Sequence, residues 1–194
     1  MTIPNVKIAT ESDEASVIDA LKLAFVADPA TRWVWPDPQK YLSNFSSFAK
    51  AFGGKAFGCK TANYVGNYSG AALWLPPNVS PDLDLLTALL QSSGSDEAKK
   101  NGPEIFEKMS RYHPNEPHWY LPLLGVDPLH HGKGFGSALI QHTIVICDRN
   151  NKFAYLESSN PKNIPFYERH GFELLDTIQV NTSPSIFPML RKPH

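Results

Sequence analysis

Apolar positions follow two spacings along this chain, and the two alternate from one segment to the next. A spacing of three to four residues predicts helices over residues 13–27, 36–53, 81–92, 96–111, 134–147 and 164–170. Short runs rich in β-branched and aromatic residues predict strands over residues 6–9, 57–65, 70–75, 118–126, 153–157, 172–180 and 186–190. This order predicts a mixed α/β fold with one sheet between helical layers, and a single domain over residues 1–194.

Proline and glycine mark the ends of several of these elements. Asp28-Pro29 is expected to end the first helix, because proline disfavours helical backbone in the residue before it. Gly53-Gly54 is expected to close the second helix. Pro122 lies inside a predicted strand and has no N–H to give to a neighbouring strand. That strand is therefore expected to contain a bulge or to part from a neighbour.

A glycine-rich turn joins the strand at 118–126 to the helix at 134–147. Gly132, Gly134 and Gly136 occupy alternate positions there, and glycine leaves no Cβ between the main chain and a ligand. The start of the helix adds unpaired N–H groups and the positive end of the helix dipole. The segment therefore predicts an anion site that suits a pyrophosphate, at the carboxyl end of a strand.

Two common nucleotide-binding motifs do not fit this turn. A Walker loop has serine or threonine directly after Gly-Lys, whereas Lys133 is followed by Gly134. A dinucleotide fingerprint has the spacing G-x-G-x-x-G, whereas the spacing here is G-x-G-x-G. A nucleotide-binding α/β protein is therefore disfavoured.

Composition and charge narrow the class of protein. The 194 residues have a formal net charge of −1, which favours neither nucleic acid nor an anionic membrane as a partner. No apolar run is long enough to span a bilayer, and Asn5 and Lys7 interrupt any secretory signal at the start. The two cysteines show no disulfide or metal spacing, so a reducing, cytoplasmic location is expected.

Two blocks of sequence resemble the GNAT superfamily of N-acetyltransferases. The turn His131-Gly-Lys-Gly-Phe-Gly136 is similar to that superfamily's acetyl-CoA loop, although His131 stands where glutamine or arginine is usual. Residues 156–172 match its next strand and helix, which end in Tyr-Glu-x-x-Gly-Phe. The resemblance implies acetyl-CoA as co-substrate. It also implies one mixed, mostly antiparallel sheet of about seven strands, splayed between the fourth and the fifth and flanked by helices.

The same resemblance assigns roles to individual residues. Tyr167 is placed near the CoA sulfur, and Asn160 contacts the pantetheine arm. The backbone of Gly125 and Val126 pairs with pantetheine as if it were another strand. The full set expected to bind the cofactor is Leu124, Gly125, Val126, His131, Gly132, Lys133, Gly134, Phe135, Gly136, Ser137, Asn160 and Tyr167.

Within the superfamily, the chain is most similar to puromycin N-acetyltransferases and their small-molecule relatives. The similarity extends to residues 24–32, 116–121, 125–128 and 191–193, and it is loose between about residues 37 and 112. It implies acetyl transfer to the primary amine of a small molecule, by direct attack in a ternary complex, in a monomer or homodimer. A non-catalytic acyl-CoA-binding module and a protein or peptide N-acetyltransferase are the alternatives.

Tyr167 and Glu157 are the expected catalytic residues. A tyrosine with a pKa of about 10 is protonated at neutral pH and can donate to a departing thiolate, whose thiol has a pKa of about 8.5. Tyr167 is therefore assigned as the general acid. Glu157, at the end of a predicted strand, is the first candidate for a base, followed by Glu116 and His118.

Aromatic and histidine residues raise two further questions. Six aromatic side chains could wall an acceptor site or form ordinary core, namely Trp33, Trp35, Tyr41, Phe45, Trp74 and Trp119. The pair His130-His131 does not predict a metal site, because adjacent residues on a turn rarely hold one ion and no third ligand is evident. No metal is therefore expected.

Overall fold

One sheet of seven strands organises the chain, in a computed structural model that describes residues 4–194. The strands are β1 (Val6–Ile8), β2 (Ala62–Val65), β3 (Gly70–Leu75), β4 (Trp119–Val126), β5 (Ala154–Ser158), β6 (Glu173–Leu174) and β7 (Phe187–Arg191). Their order in the sheet is β1-β2-β3-β4-β5-β7-β6. Only β4 and β5 pair in parallel among these described strands. The predicted mixed, mostly antiparallel sheet is confirmed.

Helices cover both faces of the sheet. They are α1 (Glu14–Ala24), α2 (Pro29–Val34), α3 (Pro38–Gly53), α4 (Lys55–Gly58), α5 (Leu83–Ser93), α6 (Asp96–Ser110), α7 (Phe135–Arg149) and α8 (Ile164–Glu168). Short 3₁₀ turns lie at Glu11–Asp13, Pro128–His130 and Pro161–Asn163. In the part of the chain that the structure describes, no helix is long and apolar enough to cross a membrane.

The sheet separates two clusters of buried side chains. One cluster lies under α1 and α3 and includes Leu21 and Phe45. The other lies under α7 and α8 and includes Leu139, Ile144 and Tyr167. Because strand side chains alternate between the two faces, both clusters draw residues from the same strands. Burial of this apolar surface holds the three layers together.

Strands β4 and β5 part after a short paired segment. Their parallel register covers only Trp119↔Ala154, Tyr120↔Tyr155 and Leu121↔Leu156, whereas β4 stays paired with β3 as far as Val126. Pro122 is the first residue beyond the parallel pairs. The register between β3 and β4 also shifts at Leu73/Leu75, opposite this proline. The structure thus has both the bulge and the splay that Pro122 predicts.

The sequence does not predict α2. Asp28 caps this helix by accepting a hydrogen bond from the Thr31 N–H at 2.9 Å, and Pro29 occupies the first turn, where no N–H is needed. The Asp-Pro pair that ends α1 therefore also begins α2.

The strand predicted over residues 57–65 is wrong in its first half, which is helical. Helix α4 places Ala56 and Phe57 in the core. Lys60 has a φ of 58°. This left-handed backbone is incompatible with an extended strand, so β2 begins only at Ala62.

The strand predicted over residues 172–180 is also shorter than expected, because β6 is only Glu173–Leu174. The Asp176 carboxylate accepts hydrogen bonds from the Thr177 N–H, at 2.7 Å, and from the Tyr112 hydroxyl. The bond to Thr177 is a local side-chain bond of the kind that competes with the strand ladder, and the bond to Tyr112 ties Asp176 to the turn at the end of α6. Only an isolated bridge, Ile178↔Ile186, follows in the described residues. The other predicted elements agree with the structure to within about three residues at each end.

Candidate active site

A cleft of about 740 Å³ opens where β4 and β5 part. It extends from the turn between β4 and α7 to the helices α2, α3, α5 and α6. The residues predicted to bind the cofactor that line it are Leu124, Gly125, Val126, His131, Gly132, Gly134, Phe135, Gly136, Ser137, Asn160 and Tyr167. The catalytic candidate Glu157 lines it as well. Lys133 does not, and its side chain is exposed beside the turn.

The glycine turn offers a cradle of backbone N–H groups. Gly132 and Gly134 have φ values of 76° and 78°, and an added Cβ at either position would have no heavy atom within 4 Å. The hydrogen bonds of α7 begin with the Ala138 N–H, which donates to the Gly134 carbonyl at 3.0 Å. The N–H groups of residues 135–137 therefore have no carbonyl partner within the helix. This open, donor-rich helix start fits a diphosphate group.

Two histidines brace this turn. The His131 Nε2–H donates to the Val126 carbonyl at 3.0 Å, so the ring closes the turn back onto the end of β4. The His130 ring stacks on Phe135, with a centroid separation of 6.0 Å. Within residues 4–194, no group of three or more His, Cys, Asp or Glu side chains is arranged to hold a metal ion.

The widening gap between β4 and β5 leaves a channel that the Asn160 side chain lines. The Asn160 Oδ1 accepts the Lys162 N–H at 3.0 Å, and the Asn160 Nδ2 remains available to donate into the cleft. On the other wall, a Cβ at Gly125 would lie 2.5 Å from the Ala24 Cβ. Glycine at this position lets α1 pack directly against β4.

Tyr167 enters the cleft from α8. Its side chain packs edge-on against Phe166 and Phe172, with centroids 5.1 Å and 6.0 Å away, and it is only 7% exposed. Its hydroxyl makes no hydrogen bond with any residue in the range 4–194. Burial, and then the charge of Asp28, raises the pKa of Tyr167 above its usual value. The hydroxyl therefore keeps its proton at neutral pH.

Asp28 is a site residue that the sequence analysis missed. It lies between α1 and α2, where its carboxylate accepts the Thr31 N–H and the Ser159 hydroxyl. Burial raises the pKa of Asp28 in spite of these hydrogen bonds. The contact joins residues 131 positions apart, and the only local signal, Asp-Pro, was interpreted as a helix end.

Among the candidate bases, the structure brings Glu157 to the cleft and leaves Glu116 and His118 outside its lining. The Glu157 side chain is 3% exposed, and its Oε1 lies 3.2 Å from the Nε2 of His113. Burial, followed by the charge of Glu157, raises the pKa of both Tyr120 and Tyr155. Glu116 is exposed. His113 is a second neighbour of the site that sequence reasoning missed.

The far end of the cleft is apolar and aromatic. Of the six aromatic candidates, Trp33 and Trp35 line it. The other four are core residues, namely Tyr41, Phe45, Trp74 and Trp119. Further lining side chains that were not predicted are Phe25, Phe48, Phe52, Phe106 and Met109. The Trp35 Nε1–H donates to Ser93 Oγ at 3.0 Å, so this ring is fixed in orientation.

Part of the chain matches a known protein family. Residues 97–172 match the model of the acetyltransferase (GNAT) family. An uncharacterized N-acetyltransferase of Schizosaccharomyces pombe is 28% identical over 145 residues, which cover 66% of this chain and 58% of that protein. The chain thus spans less than two thirds of the length of this curated relative.

Solved structures share the fold over the whole chain. A structure from Corynebacterium glutamicum, described as histone acetyltransferase HPA2 and related acetyltransferase, has a TM-score of 0.71 at 25% identity and covers 100% of this chain and 98% of its own. Arylalkylamine N-acetyltransferase 2 from Aedes aegypti has a TM-score of 0.68 at 14% identity and covers 100% of both chains. The family model over residues 97–172, the curated relative and these neighbours thus show that this chain is similar to acetyltransferases of the GNAT family.

Proposed function

We propose that this protein transfers the acetyl group of acetyl-CoA to the primary amine of a small molecule with an apolar, aromatic body. The observation that carries the proposal is one continuous cleft. It joins the glycine turn, Tyr167, the carboxylates Asp28 and Glu157, and an aromatic end. Use of acetyl-CoA is implied by the GNAT family.

The residues of the cleft are suited to hold acetyl-CoA in an extended form. The N–H groups at the start of α7, with Gly132 and Gly134, would hold the diphosphate. The free edge of β4 at residues 124–126 and the Asn160 amide would hold the pantetheine arm. Lys133 is exposed beside the turn and can add charge to a phosphate that reaches the surface. Bound acetyl-CoA supplies the thioester carbonyl that the amine attacks.

The transfer needs a neutral amine and a protonated leaving group. Glu157 takes one proton from the acceptor ammonium, and its position in the cleft supports this role. Asp28 presents a second carboxylate that can hold the ammonium group before it loses this proton. The Tyr167 hydroxyl donates a proton to the departing thiolate and regains one from the attacking nitrogen. Such general acid help typically contributes about 10²- to 10⁴-fold.

The aromatic end of the cleft supports a small, apolar acceptor. Trp33, Trp35 and the phenylalanines around them favour a flat ring over a strongly polar chain. One neighbour of the same fold is named an arylalkylamine N-acetyltransferase. Puromycin-type acceptors, which the sequence similarity suggests, also combine an aromatic body with a primary amine. The proposal therefore covers arylalkylamines and aromatic α-amino compounds.

Thiol release from acetyl-CoA against a panel of amines tests the proposal. The panel contains tyramine, puromycin, agmatine, an aminoglycoside and a lysine peptide from a histone tail. We expect release with tyramine or puromycin and little with the polar amines. Release with the lysine peptide alone would instead support a protein acetyltransferase. If no amine causes thiol release but acetyl-CoA binds tightly, the result would support a non-catalytic binding module. If acetyl-CoA does not bind, the assignment of the cleft as its binding site would be overturned.

A further inference from the structure

A line of polar groups runs from Glu157 in the cleft to the segment that precedes β4. The Glu157 Oε1 lies 3.2 Å from the His113 Nε2. The His113 Nδ1 lies 3.1 Å from the His118 Nε2, and the His118 Nδ1 lies 2.8 Å from the backbone oxygen of Glu116. The two imidazoles therefore link the buried carboxylate to a fixed backbone carbonyl.

The backbone carbonyl fixes where the protons lie on both rings. A carbonyl oxygen only accepts, so the His118 Nδ1 has a hydrogen and donates it. A neutral His118 then has a bare Nε2, which accepts the hydrogen of the His113 Nδ1. A neutral His113 is left with a bare Nε2 that faces the Glu157 oxygen. Two lone pairs then face each other across 3.2 Å, and one added proton converts this contact into a hydrogen bond.

The surroundings of the carboxylate favour that added proton. Glu157 Oε1 is buried and has no hydrogen-bond partner in residues 4–194. The titratable groups around the carboxylate and the two rings are Tyr112, Glu116, Tyr120 and Tyr155. No lysine or arginine within that same range forms an ion pair with Glu157. The hydroxyls of Tyr120 and Tyr155 lie beside the carboxylate as neutral hydrogen-bond donors and leave its charge in place. Because a buried carboxylate without a cationic partner is costly, a proton shared with His113 offsets its charge.

We infer that Glu157 and His113 together hold the proton that the acceptor ammonium loses, and that His118 is a positioning residue that fixes the tautomer of His113. The inference rests on the proposed transfer reaction. In this step one N–H bond of the ammonium breaks, and its electron pair stays on nitrogen. The proton binds between Glu157 Oε1 and His113 Nε2, and nothing is oxidised or reduced. It passes to water after the amide leaves, which accounts for the one proton released when an ammonium becomes an amide.

Two acceptors of similar shape and different basicity test this role. Tyramine resembles lysine in having an alkyl ammonium of pKa about 10, whereas tyrosine methyl ester has an α-amino group of pKa about 7.7. We expect His113→Gln to lower kcat/KM for tyramine by at least about 10-fold at pH 7. The loss for the ester is smaller, within about threefold, since about a sixth of that amine is already neutral at pH 7, whereas only about one tyramine molecule in 10³ is neutral. His142→Gln is the matched control, because His142 is a half-buried histidine of α7 that does not line the cleft.

The outcomes separate a role in proton transfer from a structural role. An equal loss for both acceptors, or a His113→Gln enzyme that behaves like the His142→Gln control, would overturn the inference. Wild-type protein that acetylates neither amine would refute the proposed function for these acceptors and remove the catalytic role. Whether the pair shares a proton is then still measurable without activity.

Nitrogen NMR of histidine-labelled protein provides that second readout. We expect both His113 and His118 to have their neutral-state proton on Nδ1. We also expect the His113 Nε2 resonance at pH 7 to differ between the wild type and Glu157→Gln, because the carboxylate oxygen lies 3.2 Å from that nitrogen. A neutral-state proton on the Nε2 of either ring, or an identical His113 Nε2 resonance in the two proteins, would contradict the shared proton.

Discussion

Tyr41 and Tyr167 show how surroundings decide what a buried tyrosine does. Burial raises the pKa of both, and the negative charge of Asp28 adds to the shift in each case. The Tyr41 hydroxyl is committed to the Lys22 carbonyl at 2.7 Å. The Tyr167 hydroxyl has no such partner in residues 4–194 and lines the cleft. Of these two tyrosines, Tyr167 is therefore the one whose hydroxyl is free to donate a hydrogen bond to a ligand in the cleft.

We predict that Tyr167→Phe lowers kcat by about 10²-fold, because the variant loses the proton donor and keeps the ring. The affinity for acetyl-CoA and the free energy of unfolding should change little, since the ring contacts with Phe166 and Phe172 remain. Steady-state kinetics and acetyl-CoA titration measure the two effects. Tyr64→Phe is the control, because Tyr64 lies on β2 away from the cleft. Full turnover by Tyr167→Phe would refute the acid role.

Single residues were predictable where a local motif contains them. Gly134 and Tyr167 belong to short segments whose pattern is visible in the sequence. Asp28 and His113 were missed because their partners are distant in sequence. Asp28 binds Ser159 across 131 positions, and His113 faces Glu157 only because the chain before β4 folds beside β5. Such contacts form only when the whole sheet is assembled, so motifs of neighbouring residues in the sequence cannot predict them.

The turn between β4 and α7 is the element that we propose to hold the diphosphate of acetyl-CoA. Gly134 combines a φ of 78° with open space around the missing Cβ. A side chain there meets no neighbour, so the cost of a substitution comes from the backbone and from the space that a ligand would use. Left-handed backbone costs an L-residue about 1–2 kcal/mol.

We therefore predict that Gly134→Val lowers the affinity for acetyl-CoA by at least about 10-fold and the free energy of unfolding by about 1–2 kcal/mol. Gly58→Val is a matched control, since Gly58 also has open space but lacks a positive φ. Isothermal titration and urea unfolding measure both quantities. Unchanged acetyl-CoA affinity in Gly134→Val, with a native fold, would contradict the assignment of this turn.

Elements were predictable where end signals act locally, and the errors have physical causes. Asp28-Pro29 was interpreted only as a stop, yet a capped Asp-Pro also starts a helix. The strand predicted over residues 172–180 ends early because Asp176 binds Tyr112, a residue 64 positions away. The order β5-β7-β6, in which the last strand inserts between the two before it, is likewise a tertiary result.

At the scale of the whole molecule, Arg191 ties the last strand to the two helices that flank the cleft. Its side chain is buried, and its guanidinium donates to the Asp148 carboxylate of α7 at 2.6 Å and 2.9 Å. Its Nε also donates to the His170 carbonyl, just after α8, at 3.0 Å. Since α7 begins at the glycine turn and α8 contains Tyr167, this one side chain links both halves of the site.

Asp148→Asn should lower the free energy of unfolding by about 1–3 kcal/mol at pH 7, because it leaves a buried guanidinium without its charged partner. The hydrogen bonds from Arg191 lower the pKa of Asp148 in the folded protein. Its stabilising effect is therefore complete above the unfolded pKa of about 3.9 and is lost as the pH falls through the folded value.

The difference in free energy of unfolding between the wild type and Asp148→Asn should consequently be smaller at pH 3 than at pH 7, as measured by urea unfolding. Asp19→Asn removes an exposed pair with Lys22 and should change stability little at either pH. A gap of the same size at pH 7 and pH 3 would mean that the pair stabilises the fold by shape alone. Loss of activity in Asp148→Asn under conditions where it stays fully folded would show that Arg191 also aligns α7 and α8 across the cleft.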